Sequence, residues 1–167
     1  MTEYRLANPD ELENLKAFLF HHGDNPWNHL PLDSVDNAFR IVASGKASAL
    51  VAYSEENFVG LAIFYHPESL PKNYLEFSQG KSAIYIAEVV VSKEHSGRGI
   101  GTSLLTDIIQ RAPQFGAEML LVDRHTENMG SAGMMKKSGF KELATFVDLE
   151  RRDFGNRSTT VLSFDLM

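Results

Sequence analysis

The chain contains no cysteine. That absence removes disulfides, thiolate metal sites and any mechanism that passes an acyl group through an enzyme thiol. Positive charge is also short: 16 lysines and arginines stand against 22 acids, a net charge of −6 with neutral histidines. A general nucleic-acid binder needs the opposite balance to displace counterions from phosphates, so no nucleic-acid partner is expected. The acid excess mildly favours cationic acceptors such as amines. No segment reaches the roughly 20 apolar residues of a membrane-spanning helix, and the opening Met-Thr-Glu-Tyr-Arg-Leu has no apolar signal region. The expectation is a cytoplasmic protein with no membrane partner. Repeats, low-complexity tracts and linkers are missing as well. At 167 residues, one domain covering residues 1–167 is expected, large enough to bury about two-thirds of its unfolded surface.

What is present is organised around residues 83–105. Ala83 to Val91 is an almost wholly apolar, β-branched run, as in a strand buried on both faces. A short polar link leads to Gly97, Gly99 and Gly101 at alternate positions, after which Leu104, Leu105, Ile108, Ile109 and Ala112 recur at helical spacing. This is strand, glycine loop, helix. Such a loop leaves backbone N–H groups unpaired at a helix N-terminus, where the helix dipole favours negative charge. Gly97 to Thr102 is therefore built to hold an anion, best a phosphate. Two familiar phosphate motifs fail on spacing. A dinucleotide fingerprint needs its third glycine at Thr102 or Leu104, and the nucleotide P-loop that Gly80-Lys81-Ser82 would close needs a glycine at Leu75.

The rest of the chain reads as mixed α/β. Tyr4 to Ala7 is a strand candidate; Asn8 and Pro9 then open a helix that buries Leu12, Leu15, Phe18 and Leu19 and stops near Gly23. A second helix runs from Asp33 or Ser34 to about Gly45. Ala47–Tyr53 and Phe58–Tyr65 form a hairpin, and Glu118–Val122 is a second buried strand. A helix from Asn128 to Ser138 is closed by Gly139, and Phe140–Leu149 pairs with Ser158–Leu166. Residues 66–80, with Tyr74 and Phe77, read either as a surface loop packed by its own aromatics or as part of an acceptor-site wall.

Two motifs in register resemble one family. Val91, then Ser96-Gly97-Arg98-Gly99-Ile100-Gly101, then Leu104-Leu105, resembles the coenzyme-A signature of the GNAT superfamily of acyl-CoA-dependent N-acetyltransferases. Asn128, Ser131 and Gly139-Phe140 resemble the helix that comes after it. The resemblance implies a single-domain GNAT-like α/β fold, with a central mixed, mostly antiparallel sheet of six or seven strands and about four helices. It implies acetyl-CoA as acyl-donor cosubstrate, with backbone groups near Val89, Val90 and Val91 on the pantetheine arm. Ser96, Gly97, Arg98, Gly99, Ile100, Gly101 and Thr102 would then hold the pyrophosphate, and Asn128 and Ser131 would lie beside the pantetheine. It also allows a homodimer. Two positions depart from the pattern: Ser96 replaces the usual Arg or Gln, and Met135 stands where many members carry a tyrosine that protonates the leaving thiolate. A thioether donates no proton, so no residue is assigned to that role.

Acyl transfer to an amine requires a polarised thioester, a base for the amine proton and near-attack geometry. Glu88 is the only charged residue between Ser82 and Ser92. Burying an unpaired carboxylate is expensive, so Glu88 is either structurally paired or poised at a cleft as the base, and it is the catalytic candidate. His125 ranks below it. His21, His22 and His29 flank the only tryptophan, Trp27, and read as polar loop residues or as acceptor contacts. Asp123 and Asp153 are candidate ammonium ligands, and no metal site is assigned. The expected activity is acetyl transfer to a primary amine of a small molecule or peptide by direct attack in a ternary complex. The alternative is a non-catalytic acyl-CoA-binding or sensing protein of the same fold.

Overall fold

The apolar runs become strands because each finds a neighbour for its backbone groups on both sides, which only a sheet provides. The computed structural model describes residues 1–23, 30–152 and 154–166. Its strands are β1 (Glu3–Leu6), β2 (Ala47–Ser54), β3 (Asn57–Tyr65), β4 (Ala83–Val91), β5 (Met119–His125), β6 (Lys141–Val147) and β7 (Ser158–Asp165). They form one seven-stranded sheet in the order β1-β2-β3-β4-β5-β7-β6. Every pairing is antiparallel except β4 with β5. The helices are α1 (Leu12–Gly23), α2 (Leu32–Ala43), the single turn α3 (Leu75–Ser78), α4 (Ile100–Arg111) and α5 (Met129–Lys137).

Local chemistry sets the joints. The turn between β2 and β3 places Glu55 and Glu56 at φ of 51° and 67°, the left-handed pair that matches the twist of a two-residue hairpin. Before α1, Pro9–Glu11 forms a 3-10 turn instead of the first turn of the helix. The Glu11 carboxylate reaches back to accept from the Asn8 N–H at 2.8 Å and grips Arg5 through two bonds of 2.8 Å. Gly139 ends the segment after α5 at φ 96°, as a C′ residue should.

Side-chain alternation then gives each face its cover. On one face, Leu104, Leu105 and Ile108 of α4 pack on Phe64, Ile84, Ile86, Leu120 and Val122. On the other, Leu15, Leu19, Val35 and Phe39 of α1 and α2 pack on Val51, Leu61, Ile63 and Val90. That pair of helices covers β2 to β4 only. Residues 66–80 cover the remainder of that face with short helical turns, burying Tyr74 against Tyr85, Leu121 and Val161. The segment is therefore packed partly by its own aromatics, Tyr74 against Phe77 at 6.0 Å, and partly by the sheet.

One strand expectation is corrected. β5 continues past Val122 to His125, because Asp123, Arg124 and His125 pair with Val161, Thr160 and Thr159 of β7. The closing hairpin forms, but β7 inserts between β5 and β6 and leaves β6 on the edge.

Candidate active site

The site begins where two parallel strands part. β4 pairs with β5 only from Ala83↔Met119 to Ile86↔Val122. Beyond that point β4 stays bound to β3 as far as Val91, and β5 stays bound to β7 as far as His125. Each strand keeps one partner and turns a bare edge toward the other, so the sheet opens into a V. A bulge lies at its apex: Ile63 faces Glu88 while Phe64 faces Ile86, leaving Ala87 as the extra residue. A bulge re-aims the side chains beyond it. Ile86 and Val89 both face α4, whereas Val90 faces α1 and α2; by alternation, Glu88 shares the Val90 face.

The glycine loop stands at the open end of the V. Gly97 and Gly99 have φ of 78° and 80°, a region that L side chains rarely adopt, and at neither would a Cβ meet anything within 4 Å. Among the described residues no backbone carbonyl accepts from the amides of 97–102, and the first amide bonded back to the loop is Ser103 N–H to Gly99 O at 3.0 Å. Those amides gather at the N-terminus of the twelve-residue helix α4, the arrangement that holds phosphate. Gly101 does a different job from its neighbours. It is buried, and a Cβ there would lie 2.5 Å from the Met134 sulfur, so it lets α4 and α5 meet closely. Ser96 donates its hydroxyl to Lys93 O at 3.2 Å, and Arg98 and Ser96 are exposed.

Where β4 and β5 part lies a cavity of about 430 Å³, within the size range of small-ligand sites. On the α5 side, Val89, Asn128, Ser131, Met134 and Met135 line it; on the α1–α2 side, Leu19, Val35, Tyr65, Tyr85 and Glu88 do. Asn128 Oδ1 accepts from the Ser131 N–H at 3.2 Å. It is thus the N-cap of α5 and a wall residue at once. Val90 is packed into the core instead, and Val91 packs toward α4.

In the wall of the cavity a buried carboxylate gathers four partners. Asp123, its side chain 5% exposed, accepts from the hydroxyl of Tyr74 and that of Tyr85 at 3.0 Å. Arg151 grips it at 2.9 and 3.3 Å, and Arg152 lies 3.7 Å away. The Tyr74 and Tyr85 rings stack at 4.4 Å. Burial works against the Arg151 charge, but the Asp123 carboxylate, with Asp148 beyond it, holds its pKa above the usual arginine value. Burial also pushes the Tyr85 hydroxyl up, keeping it a neutral donor.

The profile of the acetyltransferase (GNAT) family matches residues 10–140. The chain belongs to the GNAT family. Solved structures agree in fold along nearly the whole chain. The ribosomal-protein-alanine N-acetyltransferase of Brucella melitensis is 20% identical with a TM-score of 0.75, covering 98% of this chain and 99% of its own. The Salmonella typhimurium protein yncA, solved with its cofactor acetyl-CoA, is 18% identical with a TM-score of 0.76, covering 99% and 94%. A polyamine N-acetyltransferase of Drosophila melanogaster is 16% identical with a TM-score of 0.76, covering 99% and 100%. No match was found among curated proteins.

The remaining sequence candidates of this GNAT chain now have places. His125 Nδ1 accepts from the Glu127 N–H at 3.1 Å, so its proton sits on Nε2 and is donated to Phe154 O at 2.6 Å. With both ring nitrogens committed, it is a brace for the β6–β7 connection and a poor base. His22 accepts through Nδ1 from the Lys93 N–H at 3.1 Å, tying the end of α1 to the segment before the glycine loop; burial lowers its pKa. Trp27, His29 and Asp153 lie outside the described residues. Asp123 lines the cavity, held by Arg151 and two tyrosines. Sequence reading named Tyr74 only as part of a possible acceptor-site wall, and missed Tyr85 and Arg151. Their only local signal was tyrosine in otherwise apolar or loop segments, and nothing in the spacing joins them. Among the described residues no helix is long and apolar enough to cross a membrane.

Proposed function

We propose that residues 1–167 form a single N-acetyltransferase domain that moves an acetyl group from acetyl-CoA to a primary amine of a small molecule or peptide, by direct attack in a ternary complex. The observation that carries this reading is the V between β4 and β5, which opens onto the bare amides before α4 at one end and Glu88 at the other. The residues fit the coenzyme: loop amides from Gly97 to Thr102 for the pyrophosphate, the free edge of β4 around Val89 for the pantetheine, and Asn128 beside it. When bound, acetyl-CoA supplies an activated acyl carbon. The chain supplies orientation and proton handling. Glu88 takes the proton from the attacking amine, directly or through one water, and returns it to solvent. The free β4 amides favour negative charge near the reacting carbonyl, and the helix N-terminus favours it at the pyrophosphate. Met135 lies in the wall and donates no proton, so the sulfur leaves as thiolate and is protonated by water or by the ammonium proton.

Met135 also favours a second reading, a protein that binds acyl-CoA without turning it over. Calorimetric titration with acetyl-CoA, coenzyme A and ATP, then thiol-release assays over a panel of amines, separates the two. Micromolar binding of both coenzymes, weak ATP binding and amine-dependent thiol release support the transferase. Tight binding with no release supports the sensor, and no coenzyme binding removes both. A homodimer through β6 is part of the reading, since β6 is an edge strand with Leu143, Phe146 and Val147 exposed; light scattering tests it. So is a cytoplasmic location, which fractionation tests.

A further inference from the structure

The acceptor end of the cavity holds a guanidinium with part of its donor set unused. Arg151 Nη1 donates to the Tyr74 hydroxyl at 2.6 Å and to Asp123 Oδ2 at 2.9 Å, and Nη2 donates to Asp123 Oδ1 at 3.3 Å. This is an end-on grip. A guanidinium carries five N–H donors in a fixed fork, and these contacts use three. The Nε–H and the outer Nη2–H remain, parallel along the side edge, and among the described residues nothing accepts from them. A parallel pair of N–H groups on a permanent cation is the geometry that takes a carboxylate through two bonds. The side chain lines the cavity and is 37% exposed, so the edge is within reach of a ligand.

Charge at this end points the same way. Arg151 and Arg152 crowd the one carboxylate of Asp123, at 2.9 and 3.7 Å, with Asp148 at 3.8 Å from Arg151. Burial, with Arg151 beside it, pushes Arg152 below the usual arginine value, and an added anion relieves that crowding. Glu88 lines the same cavity, together with Leu19, Val35 and Tyr65. The cavity wall thus offers a carboxylate at Glu88, a guanidinium edge at Arg151 and apolar surface at Leu19, Val35 and Tyr65.

We infer that the acceptor is an amino carboxylate, with its amine at Glu88, its carboxylate on the side edge of Arg151 and an apolar or aromatic side chain against Leu19, Val35 and Tyr65. This rests on the acetyl-transfer reading. The amine nitrogen bonds to the acetyl carbon as the carbon–sulfur bond breaks. The electron pair goes to sulfur, the amine proton passes through Glu88 to solvent, and the carboxylate is unchanged.

The test is thiol release from acetyl-CoA by the wild-type chain with matched acceptors: leucine and phenylalanine, their decarboxylated amines, and their methyl esters. The esters control for amine basicity, since their amines are the less protonated and would react faster if the carboxylate were idle. The expected result is kcat/KM for each amino acid about tenfold or more above both its amine and its ester. Arg151→Lys, which keeps the charge and loses the fork, should shrink that ratio towards one. Amines or esters that match or exceed the amino acids overturn the inference and leave the transferase reading intact. Acetyl-CoA binding with no turnover of any acceptor overturns both.

Discussion

Replacing Asp123 by Asn keeps the size of the side chain and removes its charge, so the outcome reports electrostatics and not packing. The carboxylate accepts from Tyr74, from Tyr85 and twice from Arg151, with Arg152 at 3.7 Å. Breaking a buried ion pair on one side costs about 3–5 kcal/mol, because the other charge is left without compensation. Arg151 is partly exposed, so water recovers some of that cost, and the expected loss lies near the lower end, about 3 kcal/mol. Tyr85→Phe removes one neutral donor from an acceptor with other partners and should cost about 1 kcal/mol. Urea denaturation resolves the difference. With a slope of about 2 kcal/mol/M, Asp123→Asn should lower the midpoint by about 1.5 M and Tyr85→Phe by about 0.5 M. Acetyl-CoA affinity should hold for folded protein, because the proposed coenzyme contacts do not include Asp123. A midpoint shift for Asp123→Asn no larger than that for Tyr85→Phe would refute the claim that this carboxylate is the counter-charge of the site.

Glu88→Gln should lower turnover at least about tenfold, with coenzyme affinity nearly unchanged by calorimetry; unchanged turnover removes Glu88 from the mechanism. Gly99→Ala forces a side chain onto φ 80° and should cost about 1 kcal/mol of stability, while acetyl-CoA affinity falls. Equal affinity would mean that the loop does not hold the pyrophosphate. The Arg5 bonds, helped by the Asn8 N–H, hold the Glu11 carboxyl at about 2, below its ordinary 4.5. Its folded pKa is depressed, so its contribution is complete above 4.5 and is lost as pH falls towards 2. For a surface pair this is about 1 kcal/mol at most. Glu11→Gln should flatten denaturation midpoints across that acid window and leave their pH dependence above it unaltered.

Contacts close along the chain were legible in the sequence. The apolar run into Val91, the positive-φ glycines and the periodicity of Leu104, Leu105 and Ile108 lie within one strand–loop–helix unit. Their backbone consequences come from local sterics and from the unpaired amides of a helix start. Asn128 as a cap and Gly139 as a stop were legible for the same reason. Glu88 stood out because a charge in an apolar strand must be accounted for. The fold decided what depends on distant partners. Asp123 meets Tyr74 and Arg151 across 49 and 28 residues of chain, a separation over which no spacing rule operates. The V exists because β5 found β7 instead of staying with β4, and the bulge at Ala87, which sets the Glu88 face, depends on its register with β3. The glycine loop is thus written in local sequence, while the Asp123 cluster is assembled by tertiary structure from segments with no local signature.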